Sequence, residues 1–132
     1  MSSYHYLFIR PALPSRDVVA DISAAIGTRL RRLESEFFEY GGKCGRVILE
    51  LEMDNDYEED FGIPLDRYQS VLNVRDPLGD LGLQEEVAVQ IMHSLAEFDR
   101  YWLALTRDMQ ALVEAAAPSS SPNFDKWPPV MK

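Results

Sequence analysis

The sequence predicts an α+β fold: a small antiparallel sheet of three to four strands, packed by an N-terminal helix and a long or bent C-terminal helix. Three features support this class. Short segments rich in strand-forming residues lie between Gly and Pro positions, an apolar stripe with helical spacing follows the first of them, and a longer stripe fills the C-terminal third. With 132 residues, the chain has the length of one domain that buries its own core.

The N-terminal part predicts a strand and then a helix. Tyr4 to Arg10 is largely apolar on both faces, as in a central strand, and Ser15 is a good N-cap for the helix. The helix carries an apolar stripe that runs past Gly27: Val19, Ile22, Ile26, Leu30 and Leu33. Three cations then suit the negative end of the helix dipole: Arg29, Arg31 and Arg32.

The segment from Phe37 to Gly42 fits two structures. In the first, Tyr40 ends the helix and Gly41 caps it in the left-handed conformation. In the second, Phe37 to Tyr40 is a strand and Gly41-Gly42 is a hairpin turn. Three aromatic residues among four favour the strand.

Arg46 to Met53 is the clearest strand, because its apolar and polar positions alternate. One face of this strand is apolar, and the other becomes acidic at Glu50 and Glu52. A loop from Asp54 to Asp66 follows, and Arg67 to Arg75 predicts the next strand.

An apolar stripe with helical spacing runs from Val87 to Leu112, and no Gly or Pro interrupts the predicted helix from Leu83 to Ala117. A straight helix of that length measures ~50 Å, whereas a domain of this size has a radius of gyration of ~14 Å. The helix therefore either bends near Asp99 within the core, or its outer half from Phe98 to Leu112 forms a homodimer. We expect residues 1–117 to form a single α+β domain. Residues 118–132 form a Pro/Ser-rich tail that is either disordered or packs Trp127 on the domain.

The most distinctive feature is a run of six carboxylates in nine residues: Glu52, Asp54, Asp56, Glu58, Glu59 and Asp60. An EF-hand loop needs Gly at position 6 and Glu at position 12, and a loop starting at Asp54 or Asp56 has neither. A two-metal nuclease site is also disfavoured, because no lysine follows this strand at a suitable spacing. The run is therefore either a solvated loop or a surface that binds a basic protein, with Tyr57 as an aromatic anchor.

Composition and motifs exclude several functional classes. The formal net charge of −9 repels nucleic-acid phosphates and anionic membranes. The single cysteine, Cys44, excludes an internal disulfide and a multi-Cys zinc site. No phosphate-binding or nucleophile motif is present, and His93 with Glu97 offers two metal ligands without a third. We therefore expect a protein that is not an enzyme and has no metal and no cofactor; carboxylate chemistry around Glu50 and Glu52 is the remaining enzymatic alternative.

In its size, acidity and acidic run from Glu52 to Asp60, the chain resembles the immunity proteins of bacterial toxin systems, including contact-dependent growth inhibition. The resemblance implies a protein that neutralises a cognate toxin, often a basic nuclease, without binding nucleic acid or membrane itself. The N-terminus shows no signal-peptide pattern, which predicts a cytoplasmic location. The candidate partner-binding residues are Glu50, Glu52, Asp54, Asp56, Tyr57, Glu58, Glu59 and Asp60. The alternative function is a homodimeric scaffold or adaptor that uses the C-terminal helix.

Overall fold

A computed structural model of the chain describes residues 3–11, 18–53, 69–108 and 110–119. In these ranges the elements are β1 His5–Pro11, α1 Val18–Ile26, β2 Arg31–Arg32, β3 Tyr40–Cys44, β4 Val47–Glu52, β5 Ser70–Arg75, α2 Leu81–Glu97, β6 Tyr101–Arg107 and β7 Ala111–Ala116. The strands form one antiparallel sheet in the order β2-β3-β4-β5-β1-β6-β7. The predicted α+β class is therefore confirmed, but the predicted three to four strands are too few, since the described residues contain seven.

Both helices pack on the same face of the sheet, where the main core forms. The strands contribute fully buried side chains to this face, such as Leu7 and Leu49, and the helices cover them with Val18, Ile22, Val87, Ala88, Ile91, Met92 and Leu95. A smaller cluster of buried residues forms on the opposite face: Phe8, Val71, Trp102 and Ala104. The central strands β5, β1 and β6 are thus buried on both faces, whereas β4 is buried on one face only.

Three strands lie where the alternation and composition predict them. β1, β4 and β5 match the predicted segments to within three residues at each end. Their register aligns buried leucines across four neighbouring strands: Leu51, Leu72, Leu7 and Leu105. A one-residue slip would turn each of these side chains to the other face, so burial on the helix face fixes the register.

The predicted long C-terminal helix is wrong beyond Glu97, where α2 ends. Asp99 has a φ of 56°, in the left-handed region where a helix of L-residues does not continue. The chain then forms β6 and β7 in place of the predicted stripe from Phe98 to Leu112. Six of the seven residues of β6 are buried, and a continuous apolar run matches helical spacing as well as it matches a buried strand.

Helix α1 is also shorter than its apolar stripe predicts. Gly27 has a φ of 74° and ends the helix after Ile26, because glycine adopts the left-handed conformation without steric cost. Leu30 lies beyond the end of the helix and is buried there. Its apolar side chain therefore extends the predicted stripe although it is not part of the helix. The cations Arg31 and Arg32 form the short edge strand β2 and do not lie at a helix end.

The predicted hairpin turn at Gly41-Gly42 is wrong, since both glycines lie inside β3. A Cβ on Gly41 would stand 2.8 Å from Cδ1 of Leu33, so the absent side chain allows the preceding segment to pack closely on β3. The chain turns from β3 into β4 at Gly45, whose φ is 63°. The predicted strand from Phe37 to Tyr40 overlaps β3 only at its last residue.

Neither described helix is both long and apolar enough to cross a bilayer. Residues 120–132 lie outside the described residues. The predicted boundary between a domain at 1–117 and a tail at 118–132 therefore stays a prediction.

Candidate docking surface

Glu50 and Glu52 lie on the face of β4 that points away from the helices. They alternate with Leu49 and Leu51, which are buried in the main core. The carboxylate of Glu50 is 3.3 Å from Nε of Arg75, and its side chain is 24% exposed. Glu50 is therefore partly neutralised within the chain. Glu52 is the last residue of β4 and leads into the acidic run.

Most of the predicted partner-binding residues lie outside the described residues. These are Asp54, Asp56, Tyr57, Glu58, Glu59 and Asp60. The structure therefore places only Glu50 and Glu52 of the predicted set, and it puts both on the same face of one strand.

The loop between β2 and β3 is fixed to the end of β4, next to the start of the acidic run. The backbone N–H of Glu39 donates to the carbonyl oxygen of Leu51 at 3.0 Å. In return, the backbone N–H of Met53 donates to Oε2 of Glu39 at 2.6 Å. These two bonds hold residues 33–39 beside residues 51–53.

This loop exposes an aromatic side chain between carboxylates. Phe37 is 70% exposed, and both Glu34 and Glu36 are exposed. The hydroxyl oxygen of Ser35 accepts hydrogen bonds from the backbone N–H groups of Phe37 at 3.2 Å and of Phe38 at 3.4 Å. This local turn holds Phe37 outward. We call Glu34, Glu36, Phe37 and Glu52 the acidic corner.

Glu34, Glu36 and Phe37 are not among the site residues that the sequence predicts. Their segment mixes carboxylates with aromatic residues, as the run from Glu52 to Asp60 does, and this composition was the available signal. The predicted strand from Phe37 to Tyr40 conceals this signal, because a strand residue is expected to pack within the sheet.

The described residues show no metal-binding cluster. Within them, no three His, Cys, Asp or Glu side chains lie close enough together to hold a metal ion. His93 contacts Glu114 at 2.6 Å, not Glu97. Both ring nitrogens of the buried His5 are in hydrogen-bonding contact, Nδ1 with Gln84 at 2.7 Å and Nε2 with Glu85 at 3.0 Å, so neither nitrogen is free to act on a substrate.

The surface predicted for a homodimer is not a helical stripe. Trp102, at its centre, is 3% exposed and lies in β6 within the smaller apolar cluster. An interface through an outer C-terminal helix therefore has no counterpart in the described residues.

No protein-family model matches the chain. A search of the curated proteins found no match, and a search of the solved structures found none either.

Proposed function

We propose that the chain is an immunity-type protein, a non-enzymatic domain that binds a cognate basic toxin domain, such as a nuclease, and blocks it. One observation carries the proposal: Phe37 is 70% exposed on a turn between the exposed carboxylates of Glu34 and Glu36. Burial of a large apolar side chain by a partner is favourable, and aromatic residues are common hot spots of interfaces. The surrounding carboxylates favour a basic partner.

Charge and apolar contact have separate roles in this proposal. Glu34 and Glu36 accelerate the encounter with a cationic surface, and burial of Phe37 slows dissociation. The acidic run from Glu52 to Asp60 follows this corner in the sequence and adds further carboxylates. Glu50 contributes less, because Arg75 already pairs with its carboxylate.

Blocking a nuclease requires no chemistry from the inhibitor. Carboxylates of the acidic corner and of the following run would pair with the lysines and arginines that otherwise hold nucleic-acid phosphates. A catalytic group, a cofactor and a metal are therefore not part of the proposal. The proposed location is the cytoplasm, where a nuclease toxin meets its substrate.

Co-expression with the neighbouring open reading frame tests the proposal, with this chain as bait. We expect a 1:1 complex with a basic protein that is toxic when expressed alone, and we expect this chain to protect the cells. We also expect raised salt to slow association, because the encounter depends on charge.

A matched pair of variants separates specific docking from general apolar contact. Phe37→Ala is expected to weaken both binding and protection. Leu78→Ala removes a side chain that is 75% exposed on the turn between β5 and α2, and it is expected to change neither. A wild-type chain that protects no cells and captures only itself contradicts the proposal.

A further inference from the structure

We propose that a second surface, a groove along β2 and β3, binds a small ligand that carries a diphosphate or larger phosphate group. The groove has a volume of about 540 Å³, within the range of ~300–1,000 Å³ that small-molecule sites occupy. Four cationic residues line it and define the basic groove: Arg29, Arg31, Arg32 and Lys43. This inference is independent of the proposed docking function, which uses the acidic corner.

Gly41 lines the basic groove between two residues with long side chains. Across the sheet, Gly41 pairs with Arg31 on one side and with Glu50 on the other. These three residues point to the same face, where the side chain of Leu33 packs over Gly41. Leu33 and Ile48 also line the groove and provide apolar contact for the part of the ligand that carries no phosphate.

The cations of the basic groove lack an anionic partner among the described residues. Among the described residues, none of the four side chains forms an ion pair or a side-chain hydrogen bond. Other described arginines do form ion pairs, namely Arg46, Arg75 and Arg100. The chain has 22 acidic and 13 basic side chains, so this basic cluster is opposite in sign to the net charge of the chain.

An anion bound in the basic groove would offset the like charges of the four cationic residues that line it. Charges closer than the Debye length of ~8 Å at physiological salt repel one another with little screening. Glu50 lines the groove too, but Arg75 already offsets its charge at 3.3 Å. The two exposed carboxylates of the next loop, Glu34 and Glu36, form no ion pair with the groove arginines in the part of the chain that the structure describes.

The form of the cluster favours phosphate on a small molecule. The planar guanidinium presents paired donors that match phosphate oxygens bidentately, and three of the four cations are arginines. A long nucleic acid would meet the repulsion of a chain with a net charge of −9. A nucleoside diphosphate is small enough to interact mainly with the groove itself.

Isothermal titration calorimetry with ADP and with inorganic pyrophosphate tests this inference on the full chain. We expect ADP to bind with a millimolar or lower Kd, and pyrophosphate to bind more weakly because it lacks the apolar part. Arg31→Gln combined with Arg32→Gln is expected to weaken ADP binding by at least about tenfold, from the loss of charge-assisted hydrogen bonds. Arg107→Gln is the matched control, since Arg107 is an exposed cation at the end of β6, across the sheet from the groove.

Three results would overturn the inference. The first is no binding of ADP by the wild type at millimolar concentration. The second is an equal loss of ADP affinity in Arg107→Gln, which would show that the loss reflects net charge and not the groove. The third is tighter binding of a hexaglutamate peptide than of ADP, which would assign the groove to an acidic protein segment. If the double variant fails to fold by circular dichroism, Lys43→Gln takes its place and must also weaken ADP binding.

Discussion

Gln84 donates a hydrogen bond from Nε2 to Nδ1 of His5, with 2.7 Å between the two nitrogens. The direction of this bond follows from the other contact of the amide, since Oε1 of Gln84 accepts from the backbone N–H of Asp76 at 2.8 Å. A backbone N–H can only donate, so the orientation of the amide is fixed. Nδ1 of His5 is therefore the acceptor, and Nε2 carries the proton that it donates to Glu85 at 3.0 Å.

We expect the neutral form of His5 to be the Nε2–H tautomer. Long-range ¹H–¹⁵N correlation spectra distinguish the protonated ring nitrogen from the unprotonated one. In Gln84→Glu the carboxylate cannot donate to Nδ1, so the tautomer preference should be lost and stability should fall by about 1–3 kcal/mol. An Nδ1–H tautomer in the wild type would contradict this network.

The ion pair between Arg46 and Asp76 predicts a specific loss of stability in acid. Two hydrogen bonds from the guanidinium, 2.7 and 2.9 Å long, lower the pKa of Asp76 from 3.8 to about 2. Because this pKa is lower in the folded state, the pair stabilises the fold above pH 3.8, and its contribution is lost as the pH falls to about 2. Asp76→Asn should therefore flatten the pH dependence of the free energy of unfolding over this interval.

Urea unfolding at a series of acidic pH values measures this dependence. Glu34→Gln removes an exposed carboxylate and should keep the slope of the wild type. A slope that is the same in Asp76→Asn and in the wild type would show that the pair does not carry the effect.

Alanine substitutions at two glycines locate the turn between β3 and β4. Gly45 has a φ of 63°, so Gly45→Ala should destabilise the fold by about 1–2 kcal/mol, and Gly45→Asn should cost less, because Asn tolerates this region. Gly41→Ala should cost less than Gly45→Ala, since the contact it creates is with a terminal methyl group of Leu33 that can move. Thermal unfolding compares the stabilities of the variants. A larger loss of stability in Gly41→Ala than in Gly45→Ala would indicate that the turn lies at Gly41-Gly42.

Trp102 provides a test of the strand that replaces the predicted outer helix. Its side chain is 3% exposed, so Trp102→Ala should lower the free energy of unfolding by about 3–5 kcal/mol. Trp102→Asp should not fold, because it would bury a carboxylate in an apolar cluster. A Trp102→Asp chain that stays folded and turns a wild-type dimer into a monomer would support the helical interface instead.

The fold could be predicted from the sequence where one side of an element is solvated. β4 alternates because Leu49 is buried and Glu50 is partly exposed, so its period of two is visible. β6 is buried on both faces, which removes the period and leaves helix and strand indistinguishable. The end of α1 at Gly27 could not be predicted for a different reason: the effect of a glycine depends on its φ, which a sequence does not specify.

The candidate site could be predicted only in part, because the position of one of its loops depends on contacts between distant parts of the chain. The alternation placed Glu50 and Glu52 together on one face. The position of the loop that carries Phe37 depends on the bonds of Glu39 to Leu51 and Met53. Such contacts join distant parts of the chain, and no local pattern encodes them.

The dissociation rate of the Phe37→Ala variant from the captured toxin tests the docking proposal most directly. Loss of an aromatic hot spot should raise Kd by about 30-fold or more, corresponding to about 2 kcal/mol, and mostly through faster dissociation. Glu34→Gln with Glu36→Gln should instead slow association and reduce its dependence on salt, and Leu78→Ala should match the wild type. An unchanged dissociation rate for Phe37→Ala would contradict the assignment of the acidic corner as the docking surface.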